Sequence, residues 1–241
     1  MRILITGATS GIGKQLAHDY RNDGHEVWVI GRNQEVLNEL AEAGFHTARL
    51  DLSDRSESLQ WFSTLNTIDL VILNAGSCEY IDLPEFDSAL VARVMRANVE
   101  SVAISIEGVL PALRNGENPH LVIVGSSASY VPLPRAEAYG ASKAAVAYLT
   151  DTLRIDLGRE NIDVSLVSPG FVETPLTRKN DFPMPFQVSV EVASKRIRQG
   201  IAKRKKEIHF PKRFTYILKT LSLLPTAVWN VIGQKLVRNG K

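Results

Sequence analysis

The sequence predicts an α/β fold in one domain: a doubly wound parallel sheet of about seven strands with helices on both faces. Three observations carry this. Short β-branched runs alternate with longer helix-patterned stretches along the chain, the signature of repeated βαβ units. Candidate strands such as Leu70-Val-Ile-Leu73 and Leu121-Val-Ile-Val124 are apolar at every position, as expected when helices cover both faces of a sheet. The first strand candidate also runs straight into a glycine-rich turn and the start of a helix.

Composition agrees with one large domain. The chain has 241 residues, 44% apolar and 22% charged, enough for a sizeable core. The lone Cys78 excludes an intramolecular disulfide framework and any Cys-cluster metal site, and it suits a reducing cytosol. No metal is expected. The chain enters an apolar strand pattern at Arg2, which leaves no room for a signal peptide, and no run reaches eighteen uncharged apolar residues. A cytoplasmic location follows as the expectation. The net charge of +2 conceals an asymmetry. Lys195–Lys241 holds thirteen Lys/Arg against one acid, Glu207, a balance of +12, whereas the preceding residues balance fifteen against twenty-five, or −10. Such a tail points to an anionic contact.

The strands are expected at Arg2–Thr6, Glu26–Ile30, His46–Leu50, Asp69–Leu73, His120–Gly125, Asp163–Ser168 and Glu207–Phe210. Helical periodicity fills Gly11–Asp23, Asn33–Ala43, Arg55–Thr64, Ser88–Leu113, Ala136–Leu157 and Glu191–Lys203. The first strand opens into Thr6-Gly-Ala-Thr-Ser-Gly-Ile-Gly13. Glycines let the backbone approach a pyrophosphate, and the following helix N-terminus offers unpaired N–H groups. Gly7, Thr9, Ser10, Gly11, Ile12 and Gly13 are therefore candidate dinucleotide contacts; the alternative is a plain strand–turn–helix corner.

The second strand ends at Val29-Ile-Gly31-Arg32 with no acid between Glu26 and Glu35. An acid here would accept from ribose hydroxyls, whereas an Arg pairs with a 2′-phosphate. Arg32 thus predicts NADP(H) in preference to NAD(H), against the alternative of a solvated loop residue. Asp51, with Leu52 beside it, stands after the third strand and could accept from the adenine amino group. Asn74, Ala75 and Gly76 follow the fourth strand at the same edge, where ligands of open α/β sheets bind. Taken singly, either group is better explained by ordinary turn chemistry, an Asx-type turn or a Gly-supported loop.

Asn98 is a poor helix former inside the long Ser88–Leu113 stretch. It either satisfies a backbone group or kinks the helix and orders a water. Farther on, Tyr139-Gly-Ala-Ser-Lys143 places a phenol and an ammonium one helical turn apart. A neighbouring cation favours phenolate, so the Tyr pKa should fall.

Together these features resemble the classical short-chain dehydrogenase/reductase family, over about residues 1–211. The matching residues are Thr6-Gly-x-x-x-Gly-x-Gly13, Asn74-Ala-Gly76, Asn98, Ser126, Tyr139-x-x-x-Lys143 and Pro169-Gly170. The family's catalytic Ser lies thirteen residues before its Tyr, which selects Ser126 and not Ser127. Gly125 and Ser129 depart from the usual pattern without touching the chemistry. The resemblance implies a Rossmann-type sheet and an NADP(H)-dependent oxidoreductase interconverting a secondary alcohol and a ketone or aldehyde. It implies that Ser126 binds the substrate oxygen and Tyr139 is the general acid/base. Lys143 would lower the Tyr pKa and hold the nicotinamide ribose, and Asn98 would order a water. Pro169, Gly170, Val172 and Thr174 would fix the nicotinamide. A homodimer or homotetramer through the two long helices is also implied. The competing function is a catalytically idle NADP(H)-binding regulator.

Substrate choice would fall to Phe171–Val190, an apolar loop stiffened by Pro183 and Pro185. Beyond residue 211 lies a basic extension, 212–241. Phe214, Ile217, Leu218, Leu221, Val228 and Ile232 fall near helical spacing, with Pro225 as a break. This face is expected to pack on the body or a second subunit, or else to lie with Trp229 in an anionic membrane interface. Nucleic acid is not an expected partner, because no recognisable module accompanies the basic charge.

Overall fold

The computed structural model describes residues 1–237; the final four residues of the predicted extension lie outside the described chain. The seven strands are β1 (Arg2–Thr6), β2 (Glu26–Gly31), β3 (His46–Arg49), β4 (Leu70–Leu73), β5 (His120–Val124), β6 (Asp163–Pro169) and β7 (Glu207–Phe210). They form one parallel sheet in the order β3-β2-β1-β4-β5-β6-β7. The order reverses between β1 and β4, which opens a crevice at the carboxyl ends of those two strands.

Period-two alternation divides the core. Ile3 and Ile5 of β1 face one side, where they join Leu16 of α1 (Gly11–Asn22), Leu37 of α2 (Gln34–Glu42) and Ile197 of α7 (Val190–Ala202). Leu4 faces the other side with Phe62 of α3 (Arg55–Phe62), Val109 of α5 (Ser101–Arg114) and Val146 of α6 (Glu137–Leu157). Burying each such aliphatic side chain stabilises by about 1.5–3 kcal/mol before chain entropy is counted. This two-faced burial explains why β4 carries no polar position and β5 only His120 at its first, whose ring is bonded to Ser165.

The expected Ser88–Leu113 helix is interrupted. α4 (Ser88–Met95) passes into a π-helical turn, Arg96–Glu100, before α5 resumes. Asn98 sits in that turn, and its side chain makes the tertiary bonds described below.

The extension forms α8 (Lys212–Leu221) and α9 (Thr226–Gln234), separated at Pro225. Most of its predicted apolar face packs inward. Phe214, Leu218, Leu221, Trp229 and Ile232 gather with Tyr130, Val131 and Leu133, and Trp229 Nε1 donates to the Pro132 carbonyl at 3.0 Å. Ile217 and Val228, expected on the same face, are exposed instead. Beneath α8, Glu207 accepts from Tyr130 and pairs with Lys219. No helix among the described residues is long and apolar enough to cross a membrane.

Candidate active site

The glycine-rich turn is shaped by close backbone approach. Gly7 has φ +63°, and a Cβ there would lie 2.7 Å from Ala75 Cα. A Cβ on Gly13 would lie 2.5 Å from both Asn74 Nδ2 and the Gly7 oxygen. Asn74 is the brace: its Nδ2 donates to the carbonyls of Thr6 and Gly7 at 3.1 and 3.2 Å. Thr6 Oγ1 returns the contact by accepting from the Asn74 and Ala75 N–H groups. Turn and β4 terminus are thus one hydrogen-bonded unit.

Ser10 precedes α1 in extended conformation and makes no side-chain capping bond, and no acid occupies the first turn. The helix therefore keeps its N-terminal N–H groups and positive potential for an anion. A Cβ on Gly11 would meet Thr174 Cγ2 at 3.1 Å, so the turn also abuts the loop after β6. A bare backbone cradle at an uncapped helix N-terminus fits the pyrophosphate of a dinucleotide.

Flanking positions divide by burial. Arg32 is exposed beyond β2. Asp51 accepts from the Ser53 N–H and hydroxyl at 3.0 and 2.7 Å. These bonds chiefly hold its pKa below the ordinary value, with smaller help from the Arg32 charge. Leu52 is buried, which leaves its backbone as what it can offer a ligand. After β6, Gly170 N donates to the Phe210 carbonyl at 2.7 Å, and buried Val172 accepts from Thr177 Oγ1 at 2.6 Å. Thr174 is buried and bonded to Thr177.

Ser126, Tyr139 and Lys143 converge at the carboxyl edge. Ser126 caps a short 3-10 turn, Ser127–Ser129, and accepts from Ala128 N at 3.1 Å. Its hydroxyl also hydrogen-bonds the Tyr139 phenol. Ser127 is buried in the turn. Lys143 is buried and donates to the Val124 carbonyl at 3.1 Å, with its Nζ 5.8 Å above the Tyr139 ring centroid.

One expectation reverses here. Burial pushes the Tyr139 phenol above its ordinary pKa; the Cys78 charge adds to this and the Ser126 bond opposes it. Lys143, with its ammonium 5.8 Å from the ring centroid, is not among the groups that shift this phenol, so the predicted lowering is absent. Burial also weakens that ammonium, whose own pKa falls to about 8. Tyr139 is accordingly a protonated acid at neutral pH.

Asn98 is committed to scaffolding. Its Oδ1 accepts from Ser77 N at 2.7 Å, and its Nδ2 donates to Ser77 O and Ser142 Oγ, both at 2.9 Å. Ser142 in turn donates to the Tyr139 carbonyl at 2.7 Å. With both amide protons used, Asn98 can offer a water only acceptors.

Several residues were missed by sequence reasoning. Ser142 lies inside the Tyr–Lys motif, where its spacing from Tyr139 could have drawn attention. Cys78 is half-buried beside Lys143 and Tyr139, and burial raises its thiol pKa. Tyr80 bonds Cys78 and stacks edge-on with Phe182 at 5.4 Å. Arg135 has φ +66°. It pairs with Asp82 at 2.6 Å and Asp181 at 2.7 Å, and lies 5.5 Å above the Tyr80 ring. It thereby ties the loop after β4 to the loop after β6, and no local sequence signal marks it. Phe171 continues the wall toward Phe214, 5.4 Å away. Among the described residues no cluster of His, Cys, Asp or Glu could hold a metal.

Residues 1–183 match the short chain dehydrogenase family. The chain belongs to that family. This short-chain dehydrogenase is 30% identical over 243 residues to an uncharacterized oxidoreductase of Myxococcus xanthus, covering 97% of this chain and 96% of the relative. It is 37% identical to an uncharacterized short-chain type dehydrogenase/reductase of Sinorhizobium fredii, over 73% of this chain and 71% of that protein. In fold it resembles a Burkholderia cenocepacia short chain dehydrogenase solved in complex with NADP, with TM-score 0.83, 22% identity and coverage of 98% and 97%. The chain is an oxidoreductase enzyme of this family, with its Rossmann-type nucleotide-binding fold.

Proposed function

We propose that the protein is an NADP(H)-dependent oxidoreductase interconverting a secondary alcohol and a ketone or aldehyde, with Tyr139 as general acid/base. The observation that carries this reading is the Ser126–Tyr139–Lys143 cluster at the same sheet edge as the bare Gly7–Gly13 cradle. The nicotinamide supplies the hydride. As negative charge grows on a carbonyl oxygen, the Ser126 hydroxyl and the Tyr139 phenol are two donors that stabilise it, and Tyr139 gives up its proton. Burial keeps Tyr139 protonated, the state a reduction needs. Lys143 holds the nicotinamide ribose, and Asn98 fixes Ser142 and the catalytic helix while accepting from a relay water.

Gly7, Thr9, Ser10, Gly11, Ile12 and Gly13 take the pyrophosphate. Asp51 and Leu52 flank the adenine, and Asn74, Ala75 and Gly76 form the wall between cofactor and Lys143. Pro169, Gly170, Val172 and Thr174 hold the nicotinamide, and the Gly11–Thr174 approach supports one dinucleotide lying along this edge. Preference for NADP(H) rests on exposed Arg32 with no competing acid at the end of β2. Solved neighbours of the same fold carry NADP, among them a serine dehydrogenase complexed with NADP+, which supports an NADP cofactor but not the preference itself. KM values for NADPH and NADH, in wild type and Arg32→Asp, test it: NADPH should win in the wild type and lose most of its advantage in the variant.

Residues 1–211 act as the catalytic body, and the described part of the 212–241 extension, up to Val237, packs against it. Association into a homodimer or homotetramer is supported by exposed Tyr148 and Ile155 on α6. A shallow depression lined by Ala92, Met95, Arg96, Val99, Glu100 and Ala103 runs from α4 through the π-helical turn to α5. The deciding experiment is NADPH oxidation against a panel of ketones, aldehydes, steroids and acyl-thioester analogues. Turnover on one class supports the reading; no turnover with tight NADPH binding would instead support a nucleotide-responsive regulator.

A further inference from the structure

Fifteen large apolar side chains stand exposed among the described residues, and eleven of them fall in three segments. Leu83 and Phe86 follow β4, Leu176 and Phe186 lie in the substrate loop, and the other seven run from Tyr216 to Val237. These segments meet around one cleft mouth. Arg135 ties Asp82 to Asp181; Phe186 approaches Phe214 of α8 at 6.4 Å; α9 is pinned by Trp229 to Pro132. Helical spacing then aims Ile217, Val228 and Val231 away from the body, since Leu218 and Trp229 face inward. Leu223, at the α8–α9 turn, is 83% exposed. Apolar clustering on this scale marks an interaction surface rather than scattered exposure.

Charge selects the partner. No Asp or Glu follows Glu207 in the sequence, while Lys212, Arg213 and Lys235 are exposed on or beside α8 and α9. In the adjoining loops, Asp82 and Asp181 are held by Arg135 and Glu79 and Asp87 by Arg93, against an exposed Glu85. A second copy related by a two-fold axis would set these cations against themselves. An anionic bilayer satisfies both features, with apolar side chains entering the interface and Lys/Arg meeting phosphate headgroups.

We propose that this face docks the cleft mouth onto an anionic lipid bilayer, so that the substrate carbonyl arrives from the lipid phase. The route of entry rests on the carbonyl-reducing reading above; the docking does not. Co-sedimentation of the full chain with phosphatidylcholine vesicles, and with phosphatidylcholine–phosphatidylglycerol mixtures, tests it without any assay of turnover. Binding to the anionic vesicles should be at least ~10-fold tighter, as several basic residues near a charged surface require. The Leu223→Glu/Val231→Glu variant, with its fold checked by melting temperature and NADPH affinity, should lose at least ~10-fold of that binding. A Lys212→Gln/Arg213→Gln variant should lose several-fold, and it keeps the test decisive if the first variant fails to fold. Equal wild-type affinity for both vesicle types, no binding to either, or unchanged binding in the folded variants overturns the proposal. So does a variant whose only change is lost self-association, which assigns the face to a second copy.

Discussion

The floor of the cleft and its rim are built from different interactions. On the floor, buried and part-buried hydrogen bonds join elements close to the sheet: Asn74 to Thr6 and Gly7, Asn98 to Ser77 and Ser142, Lys143 to Val124. At the rim, loops distant in sequence are joined by ion pairs and ring contacts, with Arg135 between Asp82 and Asp181 and Phe171 between Phe182 and Phe214. Buried polar bonds are costly to leave unmade, so the floor has one geometry. Partly exposed ion pairs contribute little net stability, so the rim can open at small cost. The proposed reaction centre is thus fixed beneath an adjustable entrance.

Substitutions on the floor should have the largest effects. Lys143→Met should cut turnover by at least ~100-fold and weaken cofactor binding as well, because a positioned charge is lost. The same change should raise thermal stability by about 1–2 kcal/mol near neutral pH, since it removes a desolvated ammonium. The sign follows from Lys143, whose folded pKa of about 8 lies below the ordinary lysine value of 10.5. The charged form is disfavoured in the fold at all pH values below about 8, and the penalty fades as pH rises from there toward the unfolded value. In the wild type, cofactor affinity should therefore decline as pH rises through about 8; a flat profile would detach the ribose role from this charge.

Asn98→Ala comes next, with a loss of about 2–3 kcal/mol in chemical denaturation, because the Ser77 N–H and carbonyl are stranded and Ser142 loses a donor. Arg135→Ala should move stability by less than about 1 kcal/mol while raising substrate KM about tenfold, with kcat changed less, since only loop position is lost. Arg135→Lys should restore part of the KM effect by keeping the charge. Equal falls in kcat and kcat/KM for Arg135→Ala would place that residue on the floor instead, and the contrast between the regions would fail.

The sequence made the floor readable because its parts are local. A glycine turn at a strand-to-helix junction, a Tyr and Lys one turn apart, and strands apolar on both faces each report a backbone geometry within a few residues. The seven strands fall within one residue of their expected limits for the same reason, since two-faced burial leaves a plain pattern. Asn98 signalled either a bonded backbone group or a kink, and the choice was not legible because its partners Ser77 and Ser142 come near only in the folded chain, where both features occur. Arg135 was invisible because its partners are 53 and 46 residues away. The Tyr139 pKa was misread because sequence gives the spacing of a cation but not the burial that sets the direction of the shift. The tail was half legible. Helical spacing identified an apolar face, but which of its members met the body depended on Val131 and Pro132.

The central claim, that Tyr139 is the proton donor of a carbonyl reduction, meets its most direct test in Tyr139→Phe. NADPH consumption in a single turnover with the best carbonyl substrate should be compared with wild type, with NADPH affinity measured by fluorescence in the same samples. The account predicts at least a ~1,000-fold slower turnover, as general-acid assistance and oxyanion donation are lost together, with NADPH affinity unchanged within about twofold because the phenyl ring retains the packing. Turnover within tenfold of wild type would contradict it.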